Sequence, residues 1–501
     1  MHLLFSTALS SGRRRNRRSA VRSSGTTLWL ILLWFLATAA AQSQPVELPP
    51  QRISLPTGAN TSLFADIEGK GRCALLVIDP VAWTLLNYRQ SPAGFSRTPD
   101  QVLPLPPQTL WVGVGEVDPH PGLELVFSTV TGMVYSRQNE GRFETEPRPL
   151  IATSQAFTNC DFPPLTLLAT NQAGASVIPV IFPGKAVWYQ RNSTGEWSPG
   201  PATVLNTNQT TWSLDQGGWS GSWSLGPNAA HRWRIQQSWR AKTNASPAEE
   251  AENETIRKIV VDLKKTARAA LPRVEHLDVD GDGRQDVMVW QVSGYVDCKT
   301  DIYLFLRNAD GQLPGQPTQV LHCRGFPLPL GPRGEWSPAQ DLHGDGIDEL
   351  VLFEFKTTVL SSSGLLDAAL SHGLDWSVAI RSFHRGGFSH SPDASITVTA
   401  FLPGQVTGGW PFFFGGDFNG DGRPDLLVRR SDTQWNVFLS TTDGRWFAPQ
   451  PALTFAVPAQ GYIEIKDLNG DGRSDIIWHE LNEPGLSIFM SPAHPAKDKN
   501  P

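Results

Sequence analysis

The chain has 501 residues, of which 40% are hydrophobic, 18% charged and 10% aromatic. This composition is typical of a folded globular protein and excludes a disordered chain. Its 45 Gly and 40 Pro indicate many turns but lie below the collagen range. Length alone fits about three domains of roughly 150 residues each, whereas a closed repeat architecture would hold the whole chain in one domain.

The first 41 residues have the pattern of a secretory signal. Six arginines and no acidic residue lie in 1–27, an apolar run follows at 28–36, and the small residues at 39–41 place cleavage before Gln42. The apolar segment, of about 14 residues, is shorter than the roughly 20 that a membrane-spanning helix needs. We therefore predict a cleaved signal peptide, no membrane span in the mature chain, and a secreted, periplasmic or cell-surface location.

Cleavage would remove six positive charges, which changes the formal net charge from −6 to −6 − 6 = −12. An acidic mature chain argues against nucleic acid or anionic lipid as the main partner. Four cysteines in an exported protein suggest two disulfides. Cys298 and Cys323 flank a hairpin-like stretch and form the first predicted pair, which leaves Cys73 and Cys160 as the second by elimination.

The C-terminal half contains an internal repeat. Four segments align without gaps on the pattern D-x-[DNH]-G-D-G-x-x-[DE], at residues 278–286, 341–349, 417–425 and 467–475. A short apolar run follows each segment and predicts a β-strand. A second apolar run then leads into turns such as Asp-Gly or Gly-Gly, which are typical of β-hairpins.

The N-terminal half repeats this organisation with less regular loops. Related segments begin near residues 66 and 116, and weaker ones centre on Asp161 and Asp215. Together these make eight loop positions in 501 − 41 = 460 residues, or about 57 residues per unit, enough for one four-stranded propeller blade.

The two ends of the chain complement each other. The last unit ends at residues 486–490 without an outer strand, and a spare strand at 52–55 precedes the first unit. We therefore predict an all-β protein, a single β-propeller over residues 42–495 that the N-terminal strand closes, with a disordered tail at 496–501. Eight four-stranded blades are favoured, with seven as the alternative.

The repeated loops have the chemistry of a hard-cation site. Positions 1, 3, 5 and 9 offer side-chain oxygens and position 7 offers a carbonyl, whereas Ca²⁺ takes six to eight oxygens. Glycines at positions 4 and 6 allow φ > 0, so that the carboxylates converge, and without a cation they would repel one another. An EF-hand is excluded because position 12 is Val289, Val428 or Trp478 in a β-like run, not Glu before a helix.

This pattern resembles the FG-GAP/VCBS repeats of integrin-α-type propellers, in which the loop joins the first and second strands of a blade. The resemblance implies that three complete loops bind Ca²⁺ through side chains and the carbonyls of the arginines: Asp278, Asp280, Asp282, Arg284 and Asp286; Asp417, Asn419, Asp421, Arg423 and Asp425; Asp467, Asn469, Asp471, Arg473 and Asp475. In the fourth loop Asp341, Asp345 and Glu349 remain but His343 replaces the acid at position 3, so occupancy stays open there. The loops at 66 and 116 have Lys70, Ala74 and His120 at ligand positions and are expected to be metal-free.

No catalytic motif is found, and no enzyme is predicted, although a site built from distant carboxylates stays open. The favoured function is a non-enzymatic binding or adhesion module for an extracytoplasmic protein or glycan. A lectin that uses the Trp-rich segment 212–239, or a carbohydrate-active enzyme, is the alternative. The charged segment 247–268 predicts a solvated loop or helix, and residues 360–374 predict a short amphipathic helix.

Overall fold

The computed structural model describes residues 45–59, 62–152, 165–170, 176–182, 185–191, 195–204, 211–216, 219–225, 233–234, 240–241, 256–263, 272–294, 298–327, 337–355, 373–401, 412–442, 446–458, 460–481 and 484–492. The predicted signal peptide, the C-terminal tail, Cys160, Asp161 and most of the predicted helix at 360–374 lie outside these residues.

The described chain is almost entirely β-structure. The N-terminal strands are β1 (Val46–Glu47), β2 (Gln51–Ser54), β3 (Ser62–Ala65), β4 (Ala74–Asp79), β5 (Thr84–Tyr88), β6 (Gln90–Ser91), β7 (Gly94–Phe95), β8 (Gln101–Pro104), β9 (Thr109–Gly115), β10 (Glu124–Thr129), β11 (Gly132–Ser136), β12 (Gln138–Asn139), β13 (Arg142–Phe143) and β14 (Arg148–Ile151). The middle strands are β15 (Leu165–Leu167), β16 (Ala169–Thr170), β17 (Ser176–Phe182), β18 (Lys185–Arg191), β19 (Trp197–Val204), β20 (Thr211–Gln216), β21 (Trp219–Leu225), β22 (Trp233–Arg234) and β23 (Arg240–Ala241).

The C-terminal strands are β24 (Arg273–Leu277), β25 (Asp286–Ser293), β26 (Lys299–Phe305), β27 (Gln319–Arg324), β28 (Phe326–Pro327), β29 (Ala339–Gln340), β30 (Glu349–Phe355), β31 (Gly373–Arg381), β32 (Phe383–His384), β33 (Gly387–Phe388), β34 (Ala394–Phe401), β35 (Phe412–Phe414), β36 (Leu426–Arg429), β37 (Gln434–Phe438), β38 (Leu453–Ala456), β39 (Gly461–Lys466), β40 (Asp475–Glu480) and β41 (Gly485–Phe489). Gly373 and Leu374 thus belong to a strand. The one helix among the described residues, α1, covers residues 256–263.

These strands form eight sheets of four or five strands within the described residues, besides three two-stranded hairpins. Six of the sheets contain a copy of the repeated loop between two adjacent antiparallel strands. In chain order they are sheet A (β3, β4, β5, β8), sheet B (β9, β10, β11, β14, with β15), sheet C (β24 to β27), sheet D (β28 to β31, β34), sheet E (β35 to β38, with β1) and sheet F (β39 to β41, with β2). The corresponding loops are loop A (66–74), loop B (116–124), loop C (278–286), loop D (341–349), loop E (417–425) and loop F (467–475).

The N-terminal strand completes the C-terminal sheet. Strand β2 pairs antiparallel with β41, from Gln51 opposite Ile488 to Ser54 opposite Gly485. The short strand β1 pairs in parallel with β38 of sheet E. Both ends of the described chain are therefore joined by backbone hydrogen bonds.

The hydrophobic core lies between the faces of successive sheets. Because sheets pack on both faces, their central strands contain continuous apolar runs, as at Leu426, Leu427 and Val428 of β36, a strand that is buried throughout. Sheets E and F share a cluster that includes Trp435 and Trp478, and sheets F and A share one that includes Ile477 and Leu75. Clusters of the same kind join C to D, D to E and A to B. The six sheets thus pack in the order C, D, E, F, A, B.

Helix α1 lies inside the charged segment for which a solvated loop or helix was predicted. Its end residues Ile256 and Leu263 are buried against Val287, Val289 and Phe305 of sheet C. The remaining residues of the helix are exposed or half-buried, as an amphipathic surface helix requires. No helix among the described residues has both the length and the apolar character needed to cross a bilayer.

The predicted Cys298–Cys323 disulfide does not form in this structure. Strands β26 and β27 pair so that Cys323 lies opposite Thr300, while the Cys298 carbonyl accepts a hydrogen bond from Gly325. The two cysteines are diagonal neighbours, and diagonal Cα atoms are about 7–8 Å apart, beyond the usual disulfide range of about 4.4–6.8 Å. Cys73 is a buried thiol whose pKa burial raises, and its predicted partner lies outside the described residues.

Candidate functional site

The Asp at position 1 organises each of the four C-terminal loops. In loop E the Asp417 carboxylate accepts hydrogen bonds from the backbone N–H groups of Gly420, Asp421 and Gly422, at 2.7, 3.1 and 2.6 Å. Equivalent bonds reach Asp278, Asp341 and Asp467. The glycines at positions 4 and 6 have positive φ in all four loops, which lets successive N–H groups turn toward one carboxylate.

The carboxylate at position 9 is buried and joins three strands of its sheet. Asp425 is fully buried; its Oδ2 accepts the Phe418 N–H and its Oδ1 the Ser440 N–H, both at 2.8 Å. Asp286 and Asp475 repeat these two bonds. Since a carboxylate has about four lone-pair sites, each of these groups keeps capacity for a further ligand.

The position-9 carboxylates lie in an environment that disfavours their negative charge. Burial raises the pKa of Asp425 to about 7, and the nearby Asp417 and Asp421 add to that effect. Burial likewise raises the pKa values of Asp286 and Asp475 to about 6. A cation beside these oxygens would lower the pKa values again, because it favours the ionised form.

Loop C brings its acidic side chains closest together. Ligand atoms of Asp278, Asp280 and Asp286 lie within 4.8 Å of one another. Burial, followed by the charge of Asp282, raises the pKa of Asp280. The Asp282 carboxylate is paired with Arg284 of the same loop. Four of the five predicted ligand residues of this loop are thus acidic, and three converge on one point.

Loops E and F replace the acid at position 3 with an amide. Asn419 Nδ2 donates to Asp421 Oδ2 at 3.0 Å, and Asn469 donates to Asp471 in the same way. The arginines at position 7 also bind the position-5 acid: Arg423 Nη2 lies 2.5 Å from Asp421 Oδ2, and Arg473 repeats the contact. The predicted ligand residues of these two loops are therefore neighbours in a network of hydrogen bonds.

Loop D differs at positions 3 and 9. His343 Nδ1 lies 2.9 Å from Glu349 Oε1, and its ring packs on Trp446 with 4.5 Å between centroids. The Glu349 Oε2 still accepts the N–H of position 2, from Leu342, at 2.8 Å. The imidazole thus contacts one carboxylate oxygen of position 9. In loops C, E and F the corresponding oxygen accepts a backbone N–H from just beyond the third strand of the sheet. Asp341 keeps the hydrogen bonds that shape the repeat.

Loops A and B keep the turn and change its side chains. Asp66 accepts the N–H groups of Lys70 and Gly71, at 3.0 and 2.6 Å, as position 1 does elsewhere. In loop B, Glu124 Oε2 accepts the Val117 N–H at 2.9 Å, which is the position-9 contact. The sequence carries a signal for this role, since Glu124 stands eight residues after Glu116, the spacing between positions 1 and 9 of the other loops.

The six loops contact one another in the same order as the sheets. Position 8 of one loop donates its N–H to position 1 or 2 of the preceding loop: Asp348 to Val279 (3.0 Å), Ser474 to Asp417 (2.7 Å), Cys73 to Leu468 (2.8 Å) and Leu123 to Ile67 (2.9 Å). Position 8 of loop E is Pro424, which has no N–H to donate. Loops D and E instead meet where Gly344 approaches the Gly422 carbonyl, so closely that a Cβ on residue 344 would lie within 3.0 Å of that oxygen. Loops C, D, E, F, A and B therefore form one continuous row.

A set of glutamines that the sequence analysis missed also joins neighbouring sheets. Gln101 at the start of β8 donates to the Phe143 carbonyl at 2.6 Å and accepts the Phe143 N–H at 2.9 Å. Gln51 binds Phe95, and Gln319 binds Phe388, in the same two-bond arrangement. The sequence signal for this bridge is weak. Each of these glutamines is followed within two residues by an aliphatic residue, and the Phe that it binds follows a Gly or Arg in the next repeat unit.

Two other predicted features have a limited description. Asp215 lies within strand β20, and two residues separate β20 from β21. For the Trp-rich segment the structure describes backbone pairing, such as Trp212 opposite Trp223, and no side-chain environment. Neither feature adds a residue to the candidate site.

Comparison with known proteins identifies the repeat. Residues 417–478 match the family model described as an FG-GAP-like repeat. The chain contains an FG-GAP-like repeat. The match spans loops E and F and the strands between them, so the repeated unit that was predicted from the resemblance is confirmed over this segment.

Other comparisons give little. No curated protein matches the chain. Among solved structures, one whose title describes specific recognition of non-reducing terminal N-acetylglucosamine by a lectin from Agrocybe aegerita is 14% identical, with a TM-score of 0.30, and the alignment covers 82% of this chain and 87% of that chain. A TM-score this low carries no argument about fold or ligand.

Proposed function

We propose that this chain is an exported β-propeller whose complete FG-GAP-like loops C, E and F bind Ca²⁺, and that it acts as a non-enzymatic binding module. Several observations support a propeller of eight blades. The described strands form eight sheets of four or five strands, and β2 supplies an outer strand to sheet F. The contact between sheets F and A joins the last repeat to the first.

The converging carboxylates of the complete loops carry the calcium proposal. In loop C three of them place ligand atoms within 4.8 Å of one another. Oxygen-only donors, a flexible glycine-rich backbone and negative charge suit a hard divalent cation better than zinc, which prefers Cys and His. Asp278, Asp280, Asp282 and Asp286 would hold the ion in loop C, and the corresponding residues would do so in loops E and F.

A bound divalent cation would supply charge neutralisation to these loops. The chain's own residues do the rest. Position 1 holds the turn through two N–H groups in loop C and three in loops E and F, and position 9 ties the loop to the second and third strands of its sheet. The expected consequence is a rigid loop row, on which the scaffold depends for stability.

The calcium proposal is tested by melting the mature protein in EDTA, in Ca²⁺ and in Mg²⁺, together with elemental analysis. Ligand at 100 times its dissociation constant stabilises by about 2.7 kcal/mol per site, so the melting temperature should fall markedly in EDTA and recover with Ca²⁺. Asp421→Asn should reduce this difference, whereas Asp310→Asn on an exposed turn should not. Identical melts in EDTA and Ca²⁺, with no bound metal, would refute the role.

The binding role is proposed from the FG-GAP-like repeat, from the acidic composition of the chain and from its predicted export; the sequence contains no recognisable catalytic motif. Two assays separate its forms. Capture of a specific extracytoplasmic protein supports adhesion, and saturable binding on a glycan array supports a lectin. Turnover of a polysaccharide by the pure protein would overturn the non-enzymatic assignment.

A further inference from the structure

The acids at position 3 of loops A and B are each paired with an arginine from the same sheet. Asp118 of loop B receives Arg137, with Nε at 2.7 Å and Nη2 at 2.6 Å from Oδ2. Glu68 of loop A receives Arg89 at 2.9 Å, and it also receives Lys70 at 2.5 Å. An arginine therefore reaches the acid at position 3 in both loop A and loop B.

The two arginines occupy equivalent places in their sheets. Arg89 is the first residue after β5 and Arg137 is the first residue after β11, and each of these strands pairs with the strand that follows the loop. The corresponding residues of the complete loops are aliphatic: Leu306 in sheet C, Leu439 in sheet E and Met490 in sheet F. This place is apolar in the three sheets whose loops keep the ligand set, and it is an arginine in sheets A and B. In sheet D, whose loop has His343 at position 3, it is Ser382.

The arginine pairs favour the ionised form of both acids. Burial alone would raise the pKa of Asp118, but the His120 N–H and the Arg137 guanidinium hold it below its usual range. Hydrogen bonds from Lys70 and Arg89 outweigh burial and lower the pKa of Glu68.

The acids of both pairs are largely buried, whereas the arginines are partly exposed. The Asp118 side chain is 8% exposed and that of Arg137 28%, and the Glu68 side chain is 17% exposed and that of Arg89 39%. Glu68 and Arg89 lie so close to Gly141 of the β12–β13 hairpin that a Cβ at Gly141 would meet both within 3.0 Å. The pair in loop A thus lies against the turn between β12 and β13.

We propose that Arg89 and Arg137 take the place of a metal ion in loops A and B, so that a guanidinium holds these loops where a divalent cation holds loops C, E and F. The chain then has a metal-independent part of the loop row in sheets A and B and a metal-dependent part in sheets C, E and F. The contrast between the parts rests on the proposed function, whereas the role of the arginines does not.

Hydrogen exchange resolved by segment tests this proposal in the mature protein. In the wild type, EGTA should leave exchange in loops A and B within about twofold, and should increase exchange in loops C, E and F. Arg137→Leu, which copies Leu306 and Leu439, should increase exchange in loop B at least about tenfold with or without Ca²⁺, because charge-assisted hydrogen bonds are lost. Arg142→Leu, on an exposed position of the adjacent hairpin, is the matched control and should leave loop B unchanged.

The outcomes separate the two proposals. Loss of protection in loop B on adding EGTA, or an unchanged loop B in Arg137→Leu, would overturn the arginine proposal. Unchanged exchange in loops C, E and F with EGTA would instead overturn the calcium proposal. If Arg137→Leu fails to fold, Arg137→Lys replaces it, because lysine keeps the positive charge and has fewer hydrogen-bond donors. Amide exchange in loop B should then be faster than in the wild type, and exchange equal to that of the wild type would contradict the proposal.

Discussion

Replacing Gly470 with alanine should disrupt the contact between the last loop and the first. Gly470 is position 4 of loop F, has φ +72°, and faces the Gly71 carbonyl of loop A so closely that a Cβ would lie within 3.0 Å of it. Gly472, two residues later, has φ +80° and no atom within 4 Å of the same hypothetical Cβ. Both alanine variants therefore carry the same free-energy cost of a positive φ, and only Gly470→Ala also places a Cβ against loop A.

The expected difference follows from these contacts. Both variants place an L-residue in the left-handed region, at a cost of about 1–2 kcal/mol. Gly470→Ala must also push loop A away, which strains the buried hydrogen bond from the Cys73 N–H to the Leu468 carbonyl at 2.8 Å. Loss of a buried backbone bond costs about 1–3 kcal/mol, so Gly470→Ala should be less stable than Gly472→Ala by about that amount.

Urea unfolding of both variants in saturating Ca²⁺ measures the difference as a shift in midpoint at constant slope. Exchange of the Cys73 amide should rise in Gly470→Ala and not in Gly472→Ala. Equal midpoints and equal exchange would show that loops F and A do not pack as described, and the continuity of the loop row would fall with them.

Two further predictions concern the sheets that carry loops A and B. Gln101→Ala should lower the free energy of unfolding in urea by about 2 kcal/mol, because it removes two hydrogen bonds to Phe143 worth about 1 kcal/mol each. The control Val102→Ala, on the exposed face of the same strand, should lower it by less than about 0.5 kcal/mol. Equal losses in the two variants would contradict the bridging role of Gln101. Burial raises the pKa of Glu124 to about 7, above its unfolded value, so the folded state favours the protonated form. The contribution of Glu124 to the free energy of unfolding is therefore fully present below about pH 4.5 and is lost as the pH rises through about 7, a loss of about 3 kcal/mol. Glu124→Gln should remove this loss, and a variant with the wild-type pH profile would refute it.

The sequence was sufficient to locate the loops and the strands around them because the repeat has a fixed phase. The same nine positions recur at 278, 341, 417 and 467, and in each case the structure places the loop between two antiparallel strands. The completion of sheet F by residues near 52–55 followed from the missing outer strand, and β2 pairs with β41 as that argument requires.

Features that depend on contacts between sheets, or on strand register within one sheet, could not be derived in this way. The Gln101 amide binds a backbone 42 residues later in another sheet, and no local pattern specifies that partner. The pairing of Arg137 with Asp118 depends on strand register, which places the residue after β11 beside the loop. Register also explains the absent disulfide, since a hairpin-like spacing does not distinguish directly opposed cysteines from diagonal ones.

The most direct test of the account is a titration of the metal-free mature protein with Ca²⁺ by isothermal calorimetry. The account predicts saturable binding with one ion for each of loops C, E and F, and the loss of one equivalent in Asp421→Asn. Loops A and B should add none. An absence of saturable binding, or a stoichiometry that Asp421→Asn leaves unchanged, would contradict it.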